Sequence, residues 1–154
     1  MGVAMTLQQY LDDHRVAYEV TRHRKTGCSS MTAQSSHVPG GSLAKGVVLK
    51  WDDAYLLAVV PSTRHVELDK IADIVEGPVK LASEREASRL FPDCEKGAVP
   101  VLGAAYGLAT IVDDSLDDCD DVYFEGGDHR SLVHVTGDRF DRLMSDVTHG
   151  QISL

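Results

Sequence analysis

The run LAKGVVLKWDDAYLLAVV (residues 43–60) decides how the rest of the chain is read. Two β-rich stretches, KGVVLKW and AYLLAVV, flank Asp52-Asp53, and Pro61 closes the second. Aliphatic and β-branched residues interrupted by a short polar joint specify an antiparallel hairpin. Lys45 is out of character in it, a cation where the small residues Gly40, Gly41 and Ser42 lead into an apolar strand. Such a lysine is either a solvated end group or the charged member of a site.

Outward from the hairpin the signals alternate irregularly. TLQQYLDDH (6–14) opens with Thr6 and Gln9 at capping-box spacing, and Leu7, Tyr10 and Leu11 share a helical face. A short strand, AYEV, follows. The polar segment 26–42 ends in Pro39-Gly40-Gly41 and holds at most one short helix, around residues 32–36. Beyond the hairpin, LDKIADIV (68–75) predicts a helix with Leu68, Ile71 and Val75 inward, ended by Gly77-Pro78. VKLA is a short strand, and SEREASRLF a helix with Ser83 and Glu86 as its capping box and Pro92 as its stop. The strands LATIVDD, VYFEGG and SLVHV come next, the last two joined by a tight turn at Gly126-Gly127-Asp128. TGDRFDRLMSDV (136–147) closes the chain as an amphipathic helix. Strands outnumber helices without regular alternation, which predicts one α+β domain over residues 1–154 rather than a doubly wound sheet.

Bulk composition narrows the function. A hydrophobic fraction of 43% and a charged fraction of 25% are ordinary for a globular protein. No apolar run reaches the roughly 18 residues of a membrane span, and the N-terminus has neither a basic start nor an apolar signal core. Met1-Gly2 with Thr6 matches a myristoylation pattern, but no polybasic anchor follows and Thr6 reads as a helix cap. Three cysteines, Cys28, Cys94 and Cys119, without a C-x-x-C pair suit a reducing cytoplasm and no disulfide framework. A net charge of −9 argues against DNA and against any long phosphate track. The one basic patch, RHRK (22–25), leaves room for contact with one end of a nucleic acid. Six aspartates between Asp113 and Asp121 lack the calcium-loop pattern and read as a solvated loop.

The sequence has no G-x-S-x-G elbow, no G-x-x-x-x-G-K-[ST] loop and no H-E-x-x-H. What remains is glycine-rich. KGAVPVLGAAYG (96–107) places Gly97, Pro100 and Gly103 in a segment too small in side chains for a core element. Its peptide N–H groups are able to hold an oxyanion. FEGGDHRSLVHV (124–135) sets Asp128, His129 and Arg130 at a hairpin tip, with His134 further along; His129 is a candidate general base or ribose ligand. A metal-dependent hydrolase built on Asp128, His129 and His134 is one rival reading. A module that binds an amino acid or nucleotide without turnover, or a synthetase-binding regulator, are others. Cys94, near Gly97, has no activating partner in the sequence.

Taken in order, LAKGVVLK, KGAVPVLGAAYG and YFEGGDHRSLVHV resemble the YbaK/EbsC family of aminoacyl-tRNA deacylases, related to the editing domain inserted in prolyl-tRNA synthetase. The resemblance runs from about residue 6 to 145. It implies a curved mixed β-sheet or partial barrel flanked by helices, and hydrolysis of the ester joining a mischarged amino acid to the tRNA 3′ end. It puts the family's lysine on Lys45 and its glycine loop on Gly97 through Gly103; His129 joins Lys45 and Gly97 in the catalytic set in a supporting role, at a tip that differs from the basic or glycine-rich tips of some relatives. Ala98, Val99, Pro100, Gly103, Gly127 and Asp128 then line the substrate site. Pro100 is followed here by Val101, where many relatives carry a second proline. The resemblance implies no metal or organic cofactor. It makes the acceptor end of aminoacyl-tRNA the partner, with a synthetase as a possible helper, and no DNA or membrane.

Overall fold

The computed structural model describes residues 2–24 and 38–154. In chain order its helices are α1 (Met5–Asp13), α2 (Leu68–Val75), α3 (Glu84–Leu90) and α4 (Gly137–Leu143). The strands are β1 (Glu19–Arg22), β2 (Leu43–Trp51), β3 (Ala54–Pro61), β4 (Val79–Leu81), β5 (Ala109–Asp113), β6 (Asp121–Glu125), β7 (Ser131–Thr136) and β8 (Thr148–Gly150). All eight belong to one sheet in the order β1-β7-β6-β2-β3-β5-β8, with β4 also on β2. The predicted hairpin is its centre, in unbroken register from Ala44 opposite Pro61 to Trp51 opposite Ala54. The sheet is mixed: β2 lies parallel to β6, β3 to β5 and β5 to β8, and the other pairs are antiparallel. It is open, an α+β architecture of the expected class.

Strand alternation sorts the apolar residues onto two faces. Ala44 and Val48 of β2 join Leu57, Val59, Val112 and Phe124 in the larger core, which Leu7 and Leu11 of α1 and Phe140 of α4 complete. Leu49 joins Leu56, Ala58, Val60 and Ile111 on the opposite face, under Ile71 of α2. Leu68 and Val75 pack against that second cluster, so the predicted inward stripe of α2 is the observed one. Burying each such aliphatic side chain stabilises by about 1.5–3 kcal/mol. A third, small cluster holds Val38, Leu43 and Leu132, with Tyr123 against it.

Several local expectations are corrected. Thr6 does not cap α1: the N-cap position is Ala4, and the Thr6 N–H donates 2.9 Å to Asp93 Oδ2. Burial opposes the charge on Asp93, but the hydrogen bonds from Thr6 and Tyr106 outweigh it and hold the carboxyl below its usual range. The left-handed residue after α2 is Glu76 (φ 57°), one position before Gly77. The last helix is shorter than predicted, capped by Thr136, and the short strand β8 follows it. The segment 96–107 is not excluded from the core, since Ala98, Pro100, Val101, Leu102 and Gly103 are all buried. Its side chains are small because β2 passes close beneath. Nor is the acidic run wholly solvated: Asp113 is buried and accepts from the N–H groups of Ser115 and Ile152. The predicted helix near residue 34, Cys28 and Lys25 lie outside the described residues.

Candidate functional site

The site begins where the sheet splits. The β2–β6 ladder has only two rungs, Leu43 beside Tyr123 and Ala44 beside Phe124. The next rung would join Lys45 to Glu125. There β6 ends and the chain turns away, while β2 runs on to meet β4 at Leu49. Alternation along each strand puts Lys45 on the side of Leu43 and Glu125 on the side of Tyr123, so both lie on one face at the mouth of the split. Lys45 is half-buried there, opposite Val60 of β3.

The turn after β6 is organised by Glu125 itself. Its Oε1 accepts the backbone N–H groups of Gly127, Asp128 and His129 at 2.9, 3.2 and 3.0 Å. Burial nonetheless prevails and pushes the Glu125 carboxyl above its usual range, against the pull of those donors. Asp128 is taken up by the same turn. Its Oδ1 accepts from the N–H groups of Arg130 and Ser131, and its Oδ2 from Ser131 Oγ. Burial works against the Asp128 charge, but these donors win and hold its pKa below the usual value. Asp128 thus shapes the tip, with both oxygens engaged.

His129 occupies the left-handed region (φ 60°), a conformation costing about 1–2 kcal/mol for a residue with a Cβ. This backbone lets its N–H reach Glu125 while its ring reaches the glycine loop. The ring Nε2 lies 2.7 Å from the Lys96 carbonyl oxygen. A carbonyl only accepts, so Nε2 carries the proton in this contact. A second tie, from the Glu95 N–H to the Gly127 carbonyl at 2.7 Å, fastens loop to tip. Gly97 between them has φ 83°, a conformation open mainly to glycine.

The same loop crosses β2 at Gly46. A Cβ placed there would lie 2.8 Å from the Pro100 carbonyl oxygen and 3.0 Å from Val99 Cγ1. Alternation puts Gly46 with Ala44 and Val48, on the face opposite Lys45. Val99 and Pro100 therefore back the strand that carries Lys45.

Comparison with known proteins gives this arrangement a family. The model of the aminoacyl-tRNA editing domain matches residues 23–143. The chain belongs to that family. Among solved structures, the protein APE2540 aligns over 97% of this chain and 99% of its own, at 16% identity and a TM-score of 0.85. A candidate trans-editing enzyme for prolyl tRNA synthetase aligns over 97% of this chain and 95% of its own, at 22% identity and a TM-score of 0.82. A candidate signal transduction protein from Marinobacter aquaeolei VT8 contains the same fold in 30% of its length, covering 97% of this chain at 19% identity and a TM-score of 0.79. At such identities the likeness is one of fold. No curated protein sequence matches at a significant level.

Other groups in this editing domain divide clearly. Among the described residues no helix is long and apolar enough to cross a membrane. Cys94 sits against Gly127 beneath the tip, and burial pushes its thiol up to about 11, which disfavours the thiolate. Tyr106 reaches both Cys94 and Asp93. His134 does not join Asp128 and His129: it stacks on Tyr123 and its Nε2 lies 2.8 Å from Asp121 Oδ1. The metal-hydrolase reading thus loses its third ligand. Asp114, Asp117 and His149 bring ligand atoms within 4.8 Å of one another. They are exposed and lie at the β5–β8 end of the sheet, away from Lys45. The residue that sequence reasoning missed is Glu125. Its one legible signal is the Gly-Gly-Asp that follows, a run offering successive N–H groups with little side chain to shield them.

Proposed function

We propose that this editing domain is a deacylase. It hydrolyses the ester between a mischarged small amino acid (alanine, cysteine, serine, threonine or proline) and the 3′ end of tRNA. The support is the family match together with the position of Lys45, half-buried at the split where β2 leaves β6. A lysine of ordinary pKa, about 10.4, is a cation at neutral pH and a poor base. Lys45 therefore orients the carbonyl or the terminal phosphate and offsets negative charge in the transition state. Gly97 adds a peptide N–H that donates to no protein group among the described residues, whereas the Ala98 N–H is spent on the Glu95 carbonyl. Ala98, Val99, Pro100 and Gly103 form the supporting wall, Gly127 and Asp128 shape the tip, and His129 holds tip and wall together.

The attacking oxygen comes from water or from the substrate, its ribose hydroxyl or amino-acid side chain. With water, the oxygen adds to the carbonyl carbon, the bond to the ribose oxygen breaks, and that oxygen takes the proton. The products are the free amino acid and uncharged tRNA. A chain of net charge −9 grips only the acceptor end, with a synthetase supplying further affinity.

The test is a panel of tRNAs charged with the five amino acids, followed beside Lys45→Ala. Cleavage of one ester, reduced about 100-fold or more in the variant, supports the reading. Binding of amino acid or nucleotide with no ester cleaved at any salt concentration replaces it with the binding-module account.

A further inference from the structure

Glu125 has a feature that turn formation leaves unused. All three of its backbone donors go to Oε1. Among the described residues Oε2 takes no hydrogen bond and no ion pair, and it is not one of the sealed-off buried atoms without a partner. Pinned by one oxygen, the carboxylate keeps its other oxygen unspent among the described residues. Its surroundings are already unfavourable to negative charge, since burial dominates the balance at this group. A cation arriving at Oε2 would relieve that cost, and a charge-assisted hydrogen bond there would be strong.

Lys45 follows the last β2–β6 rung on β2 as Glu125 follows it on β6, and alternation puts the two on the same face. The mouth of the split thus has a lysine on one strand and a glutamate on the other, at successive positions of register. An aminoacyl ester has matching chemistry: an electron-rich carbonyl next to an α-amino group of pKa about 7.7–8.0, largely protonated at pH 7.

We infer that Glu125 Oε2 holds the α-ammonium of the aminoacyl ester while Lys45 faces its carbonyl, so that the site selects esters with a free α-amine over N-acylated ones. This rests on the deacylase reading and deepens it.

The experiment compares one tRNA carrying an aminoacyl ester with the same ester after N-acetylation, using the wild type and Glu125→Gln. Glutamine keeps an acceptor for the three turn N–H groups, and a thermal melt checks that the fold survives. The wild type should prefer the free amine by about 10- to 100-fold in kcat/KM, and Glu125→Gln should collapse that ratio toward one. Equal cleavage of both esters by the wild type, or a variant slowed equally on both, overturns the inference and leaves the deacylase reading standing. If the wild type cleaves neither ester, the deacylase reading fails. The inference is then decided by affinity for 3′-aminoacylamino-3′-deoxyadenosine and its N-acetyl form. Tighter binding of the free amine, lost in Glu125→Gln, sustains it, and equal binding ends it.

Discussion

His129 Nε2 lies 2.7 Å from the Lys96 carbonyl oxygen, so one imidazole ties the β6–β7 tip to the glycine-rich loop 33 positions earlier in the chain. The two flanks of the candidate site are tied by this bond and by the hydrogen bond that the Glu95 N–H donates to the Gly127 carbonyl.

Replacing His129 by asparagine tests that tie, because asparagine tolerates the left-handed backbone but is too short to reach Lys96. Stability should fall by about 0.5–1.5 kcal/mol, the worth of one hydrogen bond. Amide exchange should quicken in residues 96–98 and 126–130, and KM for the charged tRNA should rise. Unchanged exchange in both segments would show that the imidazole is not what holds them.

Gly46→Ala probes the contact behind Lys45. The added methyl would meet the Pro100 carbonyl at 2.8 Å, a backbone atom that cannot swing aside. Either β2 or the loop must move, at about 1–3 kcal/mol for an overpacked site. Deacylation should drop at least 10-fold although no polar group is lost. A variant with wild-type melting temperature and wild-type kcat/KM would place the loop further from β2 than described.

How much of this was legible beforehand follows from the range of each interaction. The hairpin and α2 were readable because period and turn chemistry are local: Asp52-Asp53 marks the joint, and Leu68, Ile71 and Val75 repeat on one face. The Ser83–Glu86 capping box was readable for the same reason and forms as expected. The cap on α1 was not, since the acceptor is Asp93, 87 positions from Thr6. The split between β2 and β6 was equally hidden, because a two-rung parallel ladder joining residues 43–44 to 123–124 leaves no periodic trace. Lys45 could therefore be singled out from sequence, but its neighbour Glu125 could not. A glutamate at a strand end reads as solvated until the turn closes over it.

Acid should expose a second electrostatic device, remote from the split. Glu86 accepts from the Ser83 N–H within the α3 capping box and from Tyr55 Oη at 2.5 Å, and Lys50 Nζ lies 3.3 Å away. The backbone hydrogen bond at Ser83, then the bonds from Tyr55 and Lys50, lower the Glu86 pKa from its ordinary 4.5 to about 2. A carboxyl with a depressed folded-state pKa binds its proton more readily when unfolded, so its contribution is complete above the unfolded value and disappears as pH falls. The window runs from about 4.5 down to about 2. Glu86→Gln should therefore melt below the wild type at pH 7, and the gap should close progressively between these limits. Melting curves of both proteins across pH 2–7 check this, and a gap that is constant with pH would mean that glutamine disturbs the cap sterically rather than through charge. Because Tyr55 and Lys50 anchor β3 and β2 to α3, the wild type should lose α3 first on acidification, seen as faster amide exchange in Glu84–Leu90 before the central hairpin opens.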